Sequence, residues 1–455
     1  MNSLLKVINF SEFKIFNENN GIYVYSIENN KIFEIDKKTE LLLQQNGKKY
    51  EDICLTLNNV FSKKELDNLL KKMEDQNFIK NTNNSLKSKK FNIETSNISS
   101  ITLMLIQKCN LKCSYCYGQN GTYNDSGVMS IETAQKSIDL LITKSKNCNL
   151  SICFFGGEPL LKFDLIKKIV SYCHKKETET DKRFRFTMTT NGTLLNKEIE
   201  EFIIENNIRL QISIDGNKTI HDSNRYFDNK RGSHDIILTN TKNLRSMGLL
   251  SARATITGKY MDIKNIYNYL SSLNFYEVSI SPAFNLLTRE EYTELAKSYI
   301  AFYLDMEKRI KEKRYKEVQK NKQFIKELKQ IHYSIPRKVS CGAGITMNAV
   351  DIHGDIYPCH RFVNYKDYSI GTIWSNNSKQ NTFLENTMFN NKKNCFYCWA
   401  RNLCISGCPS TNLSVTGNTT SIYEPFCDYI KKVKEELIKI YLRLSALEIN
   451  LLLNN

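Results

Sequence analysis

Cys109, Cys113 and Cys116 form a C-x3-C-x2-C run directly after the apolar stretch 101–106. Three thiolates on one short loop can hold three irons of a 4Fe–4S cube and leave the fourth iron open to a small molecule. Structural zinc asks for four protein ligands, so a lone three-cysteine loop suits it poorly. Tyr115, just before the third cysteine, would lay an aromatic ring near the open iron. The segment 151–155 reads as a buried strand ending in Gly156-Gly157-Glu158-Pro159, where the glycines let the backbone approach closely. A second strand-like segment, 184–188, runs into the polar turn Thr189-Thr190-Asn191-Gly192, and a third, 209–214, ends at Ser213-Ile214-Asp215-Gly216, ahead of His221, Asp222 and Arg225. Alternating strands and helices from about 100 to 300 predict parallel βαβ units, which place their sites at the C-terminal ends of strands.

The run C-x3-C-x-aromatic-C, the GGEP turn and the S-x-D-G pattern together resemble the radical S-adenosylmethionine (radical SAM) enzymes. The resemblance implies an α/β fold built on a partial (β/α)6 barrel. It implies a 4Fe–4S cluster on Cys109, Cys113 and Cys116, and SAM contacts from Tyr115, Gly156, Gly157, Glu158, Pro159, Thr190, Asn191, Ser213, Asp215 and Arg225. In that picture the GGEP turn runs along the methionine amino group, with carbonyls and Glu158 facing an ammonium. Ser213 and Arg225 hold the SAM carboxylate. The chemistry suits arginine, which grips a carboxylate through two charge-assisted bonds of roughly 1.5–3 kcal/mol each.

A second cysteine set comprises Cys341, Cys359, Cys395, Cys398, Cys404, Cys408 and Cys427. Its order resembles the seven-cysteine SPASM extension of peptide-modifying radical SAM enzymes. Carried over, Cys395, Cys398, Cys404 and Cys427 ligate an outer auxiliary cluster, while Cys341, Cys359 and Cys408 ligate an inner one, making three 4Fe–4S clusters in all. The segment 342–358 holds no further cysteine, so the inner cluster keeps an open iron unless another residue closes it. An open iron would bind a substrate thiolate and lower its pKa. The C-x2-C and C-x3-C pairs also resemble a zinc ribbon. Of the remaining cysteines, Cys153 reads as core, and Cys54, Cys148 and Cys173 as structural thiols.

A chain of 455 residues predicts about three domains. Residues 1–82 show a hairpin, 21–27 with 31–35, then helices at 38–44, 50–58 and 62–77. Ser62 and Glu65 form a capping box, and Leu66, Leu69, Leu70 and Met73 an apolar face. This unit resembles the RiPP recognition element, a winged-helix (PqqD-like) module. Such modules bind the leader of a ribosomally made, modified peptide (RiPP) as an added strand, here at the edge Lys31–Ile35. The remaining boundaries are a linker at 83–99, the barrel at 100–300, a basic helical connector at 301–338, the SPASM block at 339–428 and a C-terminal helix at 429–455. The net charge of +16 is spread through a Lys/Asn/Ile-rich chain, and its densest run, 308–329, reads as a solvated helix face rather than a nucleic-acid surface. No secretory signal or membrane span is expected, and cluster-like cysteine spacing points to a reducing cytoplasm.

The combined resemblance is to sactipeptide and ranthipeptide synthases, including the maturases of "six cysteines in forty-five" (SCIFF) peptides. It implies a 5′-deoxyadenosyl radical that takes hydrogen from a precursor-peptide carbon, a Cys sulfur-to-carbon thioether as product, and an electron donor such as flavodoxin or ferredoxin. Alternatives are formylglycine formation, as in anaerobic sulfatase maturases, and carbon–carbon crosslinking. The sulfatase maturases carry an aspartate base where this chain has His360, and an extra cysteine it lacks. His360 is a candidate base or a packed neighbour of the site. A zinc-dependent nucleic-acid binder is the non-enzymatic alternative, but it gives no reason for the GGEP turn.

Overall fold

The computed structural model describes residues 7–80, 98–336, 341–375, 379–387, 392–404 and 406–454. Alternating apolar positions first build an antiparallel meander of β1 (Phe13–Glu18), β2 (Gly21–Ser26) and β3 (Lys31–Ile35). Helices α1 (Lys37–Leu43), α2 (Tyr50–Thr56) and α3 (Lys63–Asp75) follow. At the start of α3, Ser62 Oγ accepts from the Glu65 amide at 3.3 Å and the Glu65 carboxylate accepts from the Ser62 amide at 2.8 Å. One sheet face packs Val24 and Phe33 with Leu42, Leu43, Ile53, Leu66 and Leu70. The other face sends Phe16, Tyr25 and Ile27 into the core of the rest of the chain. Strand β1 is absent from the sequence-based expectation. It pairs with β2, so β3 remains an edge strand among the described residues. The expected linker lies outside the described residues up to position 97.

Six strands then lie parallel and side by side in chain order: β4 (Ser100–Met104), β5 (Asn149–Phe155), β6 (Arg183–Thr190), β7 (Arg209–Ser213), β8 (Leu250–Ile256) and β9 (Glu277–Pro282). Helices α4 (Ile131–Lys144), α5 (Phe163–Glu179), α6 (Lys197–Glu205), α7 (Lys218–Asn224), α8 (His234–Asn240) and α9 (Ile263–Ser272) make the crossovers, and α10 (Arg289–Lys311) follows β9. On the far side of β4 the sheet gains a parallel strand β10 (Met347–Val350) and two antiparallel strands, β11 (Asp355–Tyr357) and β12 (Gly371–Thr372), which makes it a mixed sheet of nine.

Side chains alternate across these strands with the period of two that a pleat imposes. Leu103, Ile152, Phe154, Phe186, Ile212 and Ala254 are buried beneath the helices. Thr102, Cys153, Thr187, Gln211, Arg253 and Ser281 line an open cavity instead. Cys153 is thus corrected from a core residue to a cavity residue: one pleat step places it between Ile152 and Phe154, facing the opposite side.

Helix α10 runs through the boundary drawn at residue 300. The basic run 308–329 is not wholly solvated, since Ile310, Val318, Phe324 and Leu328 are buried, the last two in α11 (Lys322–His332). The C-terminal region holds α12 (Pro409–Thr416), α13 (Glu424–Arg443) and α14 (Ala446–Leu453), so two helices replace the expected one, and α13 begins before 429. Tyr429 on α13 packs against Phe284, Tyr292 and Tyr299. No helix among the described residues is long and apolar enough to cross a membrane. Lys434 on α13 is nearly buried and pairs with Glu327 at 2.8 Å, where the Tyr303 hydroxyl also donates to Glu327 at 2.9 Å. Removing one member of a buried pair strands the other, so Lys434→Met should cost about 3–5 kcal/mol in urea unfolding, and adding Glu327→Leu should recover part of that loss.

Candidate functional site

The cysteine loop begins as a continuation of the sheet. The Leu105 amide donates to the Phe155 carbonyl at 2.9 Å, Gly157 to Ile106 at 2.8 Å, and Glu158 to Lys108 at 3.0 Å. This ladder demands glycine. A Cβ on Gly157 would stand 2.1 Å from the Lys108 carbonyl oxygen, and one on Gly156 (φ +133°) 2.5 Å from the Ile106 oxygen. The close approach that the turn permits is therefore made, first of all, to the loop itself. Farther along, Lys112–Cys113 pairs antiparallel with Arg225–Tyr226, opposing Cys113 to Arg225. The Ser114 amide adds a bond to the Asn224 carbonyl at 2.9 Å.

Two buried carboxylates brace the strand ends. Glu158, almost fully buried, accepts from Thr190 Oγ1 at 2.6 Å, the Asn191 amide at 2.8 Å and the Leu160 amide at 3.1 Å, which ties β5 to β6. Burial raises its pKa to about 6 despite these donors. Asp215, wholly buried, accepts from the Tyr115 hydroxyl at 2.5 Å, the Thr255 amide at 3.0 Å and Arg225 Nε at 3.3 Å, joining the loop, β7 and β8. Beneath it, His221 Nδ1 faces the Asp215 amide at 3.3 Å and Nε2 meets Ser233 Oγ at 2.9 Å; burial drives this histidine's pKa down to about 3.

Burial pushes the Cys109 thiol up to about 12, with the Glu158 charge and then Cys113 and Cys116 adding to it. Burial likewise lifts Cys113 to about 11, opposed by the Arg225 charge. Thiols gathered and raised in this way need a bound cation to become thiolates, which fits a metal cluster. All three line a cavity of about 540 Å³ at the C-terminal ends of the strands, together with Gly156, Gly157, Glu158, Thr190, Asn191, Ser213 and Arg225.

Residues 103–269 match the model of the Radical SAM superfamily. That stretch, which holds the cysteine loop and the first strands of the parallel sheet, is similar to that superfamily. The chain is 26% identical over 359 residues to the cysteine-type anaerobic sulfatase-maturating enzyme of Clostridium novyi, a match covering 72% of this chain and 92% of that protein. It is 25% identical over 282 residues to the antilisterial bacteriocin subtilosin biosynthesis protein AlbA of Bacillus subtilis, covering 60% and 57% respectively. The solved structure of native anSMEcpe with bound AdoMet superposes with a TM-score of 0.63 at 19% identity, over 76% of this chain and all of that one, a likeness of fold. A radical SAM fold binds SAM and a 4Fe–4S cluster, and the cysteine loop and its cavity are the part of this chain that suits both.

The geometry refines the sequence-based roles. Tyr115 is fixed by Asp215 and lies 5.2 Å from the Arg225 guanidinium. Arg225 also reaches Cys113 Sγ from Nη1 at 3.6 Å, so its guanidinium bridges the loop and the strand-end carboxylate. Ser213 and Arg225 open onto the same cavity. Asn191 donates to Asn110 Oδ1 at 2.8 Å and faces Cys109 Sγ at 3.8 Å, which makes it a support of the loop as well as a cavity residue.

In the C-terminal block, burial and neighbouring cysteines raise several thiols. Burial lifts Cys359 to about 12, and Cys408 and Cys341 add to it. Burial also lifts Cys427 to about 12, and Cys404, Cys395 and Cys398 add to it. Among the described residues no three Cys, His, Asp or Glu side chains converge tightly enough for a single metal ion; a zinc tetrahedron would bring sulfurs to within roughly 3.8 Å of one another. His360 is half-buried with its ring stacked 4.6 Å from Phe155, and desolvation takes its pKa down to about 3, with the Arg361 and Arg253 charges adding to it. That makes it a feeble base and a packing residue of the cavity wall.

Sequence reasoning missed Arg253, Tyr117 and Arg361, all of which line the cavity. The available signal was Arg253, the one charged residue in the strand Leu250–Ile256. Glu158→Ala would leave the Thr190 and Asn191 donors unpaired and should cost about 2–6 kcal/mol of stability in denaturant titration, at about 1–3 kcal/mol per stranded buried group. Gly157→Ala should lower the iron bound per chain after reconstitution, because its methyl group displaces the Lys108–Cys109 backbone.

Proposed function

We propose that this protein is a radical SAM peptide maturase that forms Cys sulfur-to-carbon thioethers in a ribosomally made precursor peptide. The observation that carries the reading is the single cavity bordered on one side by Cys109, Cys113 and Cys116 and on the other by His360 and Arg361, next to Cys359. Tyr117, next to Cys116 in the chain, has its ring 6.0 Å from that of His360, which follows Cys359. When bound, SAM and the cluster on the first three cysteines supply the one-electron chemistry that removes a hydrogen atom from a peptide carbon.

The chain's own residues position and exclude. Ser213 and Arg225 orient the SAM carboxylate, and the GGEP backbone lies beside its amino group. Cys341, Cys359 and Cys408 hold an inner auxiliary cluster near the substrate thiol, and Cys395, Cys398, Cys404 and Cys427 hold an outer one nearer an electron partner such as flavodoxin or ferredoxin. Joining S–H and C–H into S–C releases two protons and two electrons; one of each leaves as the hydrogen atom abstracted from carbon, and Cys341, Cys359 and Cys408 would hold the cluster that accepts the remaining electron while the thiol proton goes to solvent. The edge strand β3 is suited to receiving a leader peptide as a fourth strand, because β1 and β2 are occupied by docking onto the C-terminal block.

Formylglycine formation is the second reading, favoured by the match to a sulfatase-maturating enzyme along most of that enzyme's length. Against it, the position of the expected aspartate base carries His360, stacked and held neutral. Mass spectrometry after anaerobic incubation of the reconstituted protein with SAM, reductant and a cysteine-containing precursor separates the readings. A thioether loses two hydrogens, keeps its sulfur and cannot be alkylated; formylglycine loses the sulfur and reacts with hydrazide. A loss of two hydrogens with free thiols would mean a carbon–carbon bond. Cys109→Ala should abolish SAM cleavage, and Cys408→Ala should stop crosslinking; deoxyadenosine from the first variant would overturn the radical assignment.

A further inference from the structure

The cavity carries more positive charge than its own residues neutralise. Of its three arginines, Arg225 is paired with Asp215. Arg253 donates from Nη1 to the neutral Ser279 hydroxyl at 3.1 Å and has no carboxylate partner among the described residues. Arg361 rests 4.9 Å from the centroid of the Tyr117 ring, and its buried Nε has no acceptor. Burial and the nearby Arg361 charge together hold Arg253 below its usual range. The one carboxylate lining the cavity among the described residues is Glu158, already engaged by Thr190, Asn191 and Leu160. Two partly desolvated guanidiniums with no carboxylate partner among the described residues favour an anion beside them, and arginine's planar fork fits a carboxylate best.

We propose that Arg253 and Arg361 form a subsite for an aspartate or glutamate side chain of the peptide substrate. The inference rests on the peptide-maturase reading. It places the acidic residue beside the Tyr117 platform, in the cavity wall between the first three cysteines and the residues that follow Cys359, where the modified carbon and the thiol must meet. The other available carboxylate is that of SAM, whose expected partners Ser213 and Arg225 stand on β7 and just after α7.

The test compares two N-acetylated, C-terminally amidated hexapeptides, each with one cysteine and either aspartate or asparagine two residues later, by calorimetric titration of the reconstituted, SAM-loaded protein. The aspartyl peptide should bind about tenfold tighter or better than its asparaginyl twin, as expected of charge-assisted pairing. Arg253→Gln and Arg361→Gln should each erase that preference, and Arg361→Lys, which keeps the charge, should restore part of it. Equal affinity of the two peptides, no binding of either at millimolar concentration, or a preference that survives both glutamine variants would overturn the subsite. So would a fall in SAM affinity with peptide discrimination intact, which would reassign the guanidiniums to SAM. Mass spectrometry of the precursor keeps the two ideas apart: modification without charge discrimination removes the subsite alone, whereas intact discrimination without any peptide modification removes the maturase reading.

Discussion

The contact between the Gly156–Gly157 turn and the backbone of Ile106–Cys109 is the constraint around which the site is arranged. It prolongs the β4–β5 ladder past the ends of both strands, so the first cysteine is placed by sheet geometry rather than by its own side chain. The antiparallel pairing of Cys113 with Arg225 fixes the loop from the other end. Between these two clamps the loop has little freedom to choose where its thiols point. That matters because three crowded, buried thiols have no reason to stay together before an ion arrives.

The same geometry explains why the strand ends need carboxylates that are not offered to solvent. Glu158 and Asp215 each gather donors from two or three separate segments, and each is buried. A buried carboxylate is costly unless several donors surround it, so each one commits its neighbours to a single arrangement. Tyr115, Thr190, Asn191 and Arg225 are therefore held in place by carboxylates at the neighbouring strand ends. The concave face can then remain polar and open while the convex face of the same strands packs Ile, Phe and Leu under the helices.

Much of this was legible in the sequence because the chemistry-bearing residues lie close to one another along the chain. The C-x3-C-x2-C run, the glycine turn and the capping box of α3 are local patterns with local physical causes, and the first four parallel strands showed in their composition, whereas β8 and β9 did not. What was not legible depends on long-range pairing. Strand β1 gains its partner only through β2, and its Phe16 reads as an ordinary alternating residue until the C-terminal block covers it. Cys153 looked like core because its neighbours are apolar, but the pleat turns it toward the cavity. Glu158 read as a ligand group, and only the fold shows three internal donors around it. Arg253 and Arg361 lie 108 positions apart by their numbering, and no local pattern links them.

The sheet also answers why one cavity holds both the first three cysteines and the two residues that follow Cys359. Strand β10 lies parallel to β4 in the same sheet, with Met347 opposite Ser100 and Val350 opposite Leu103. Cys341 precedes β10 and Cys359 follows its antiparallel partner β11, so the inner cysteines hang from the β10–β11 hairpin as the first three hang from the end of β4. Their relative placement is then a matter of strand register. A register shift in β10 would carry its inward residues to the opposite face and move Cys359 with them. Ala349, Val350 and Tyr357, all buried, hold that register by burial rather than by any ligand. The separation of the first three cysteines from Cys341 and Cys359 is thus set by the same hydrophobic patterning that folds the protein.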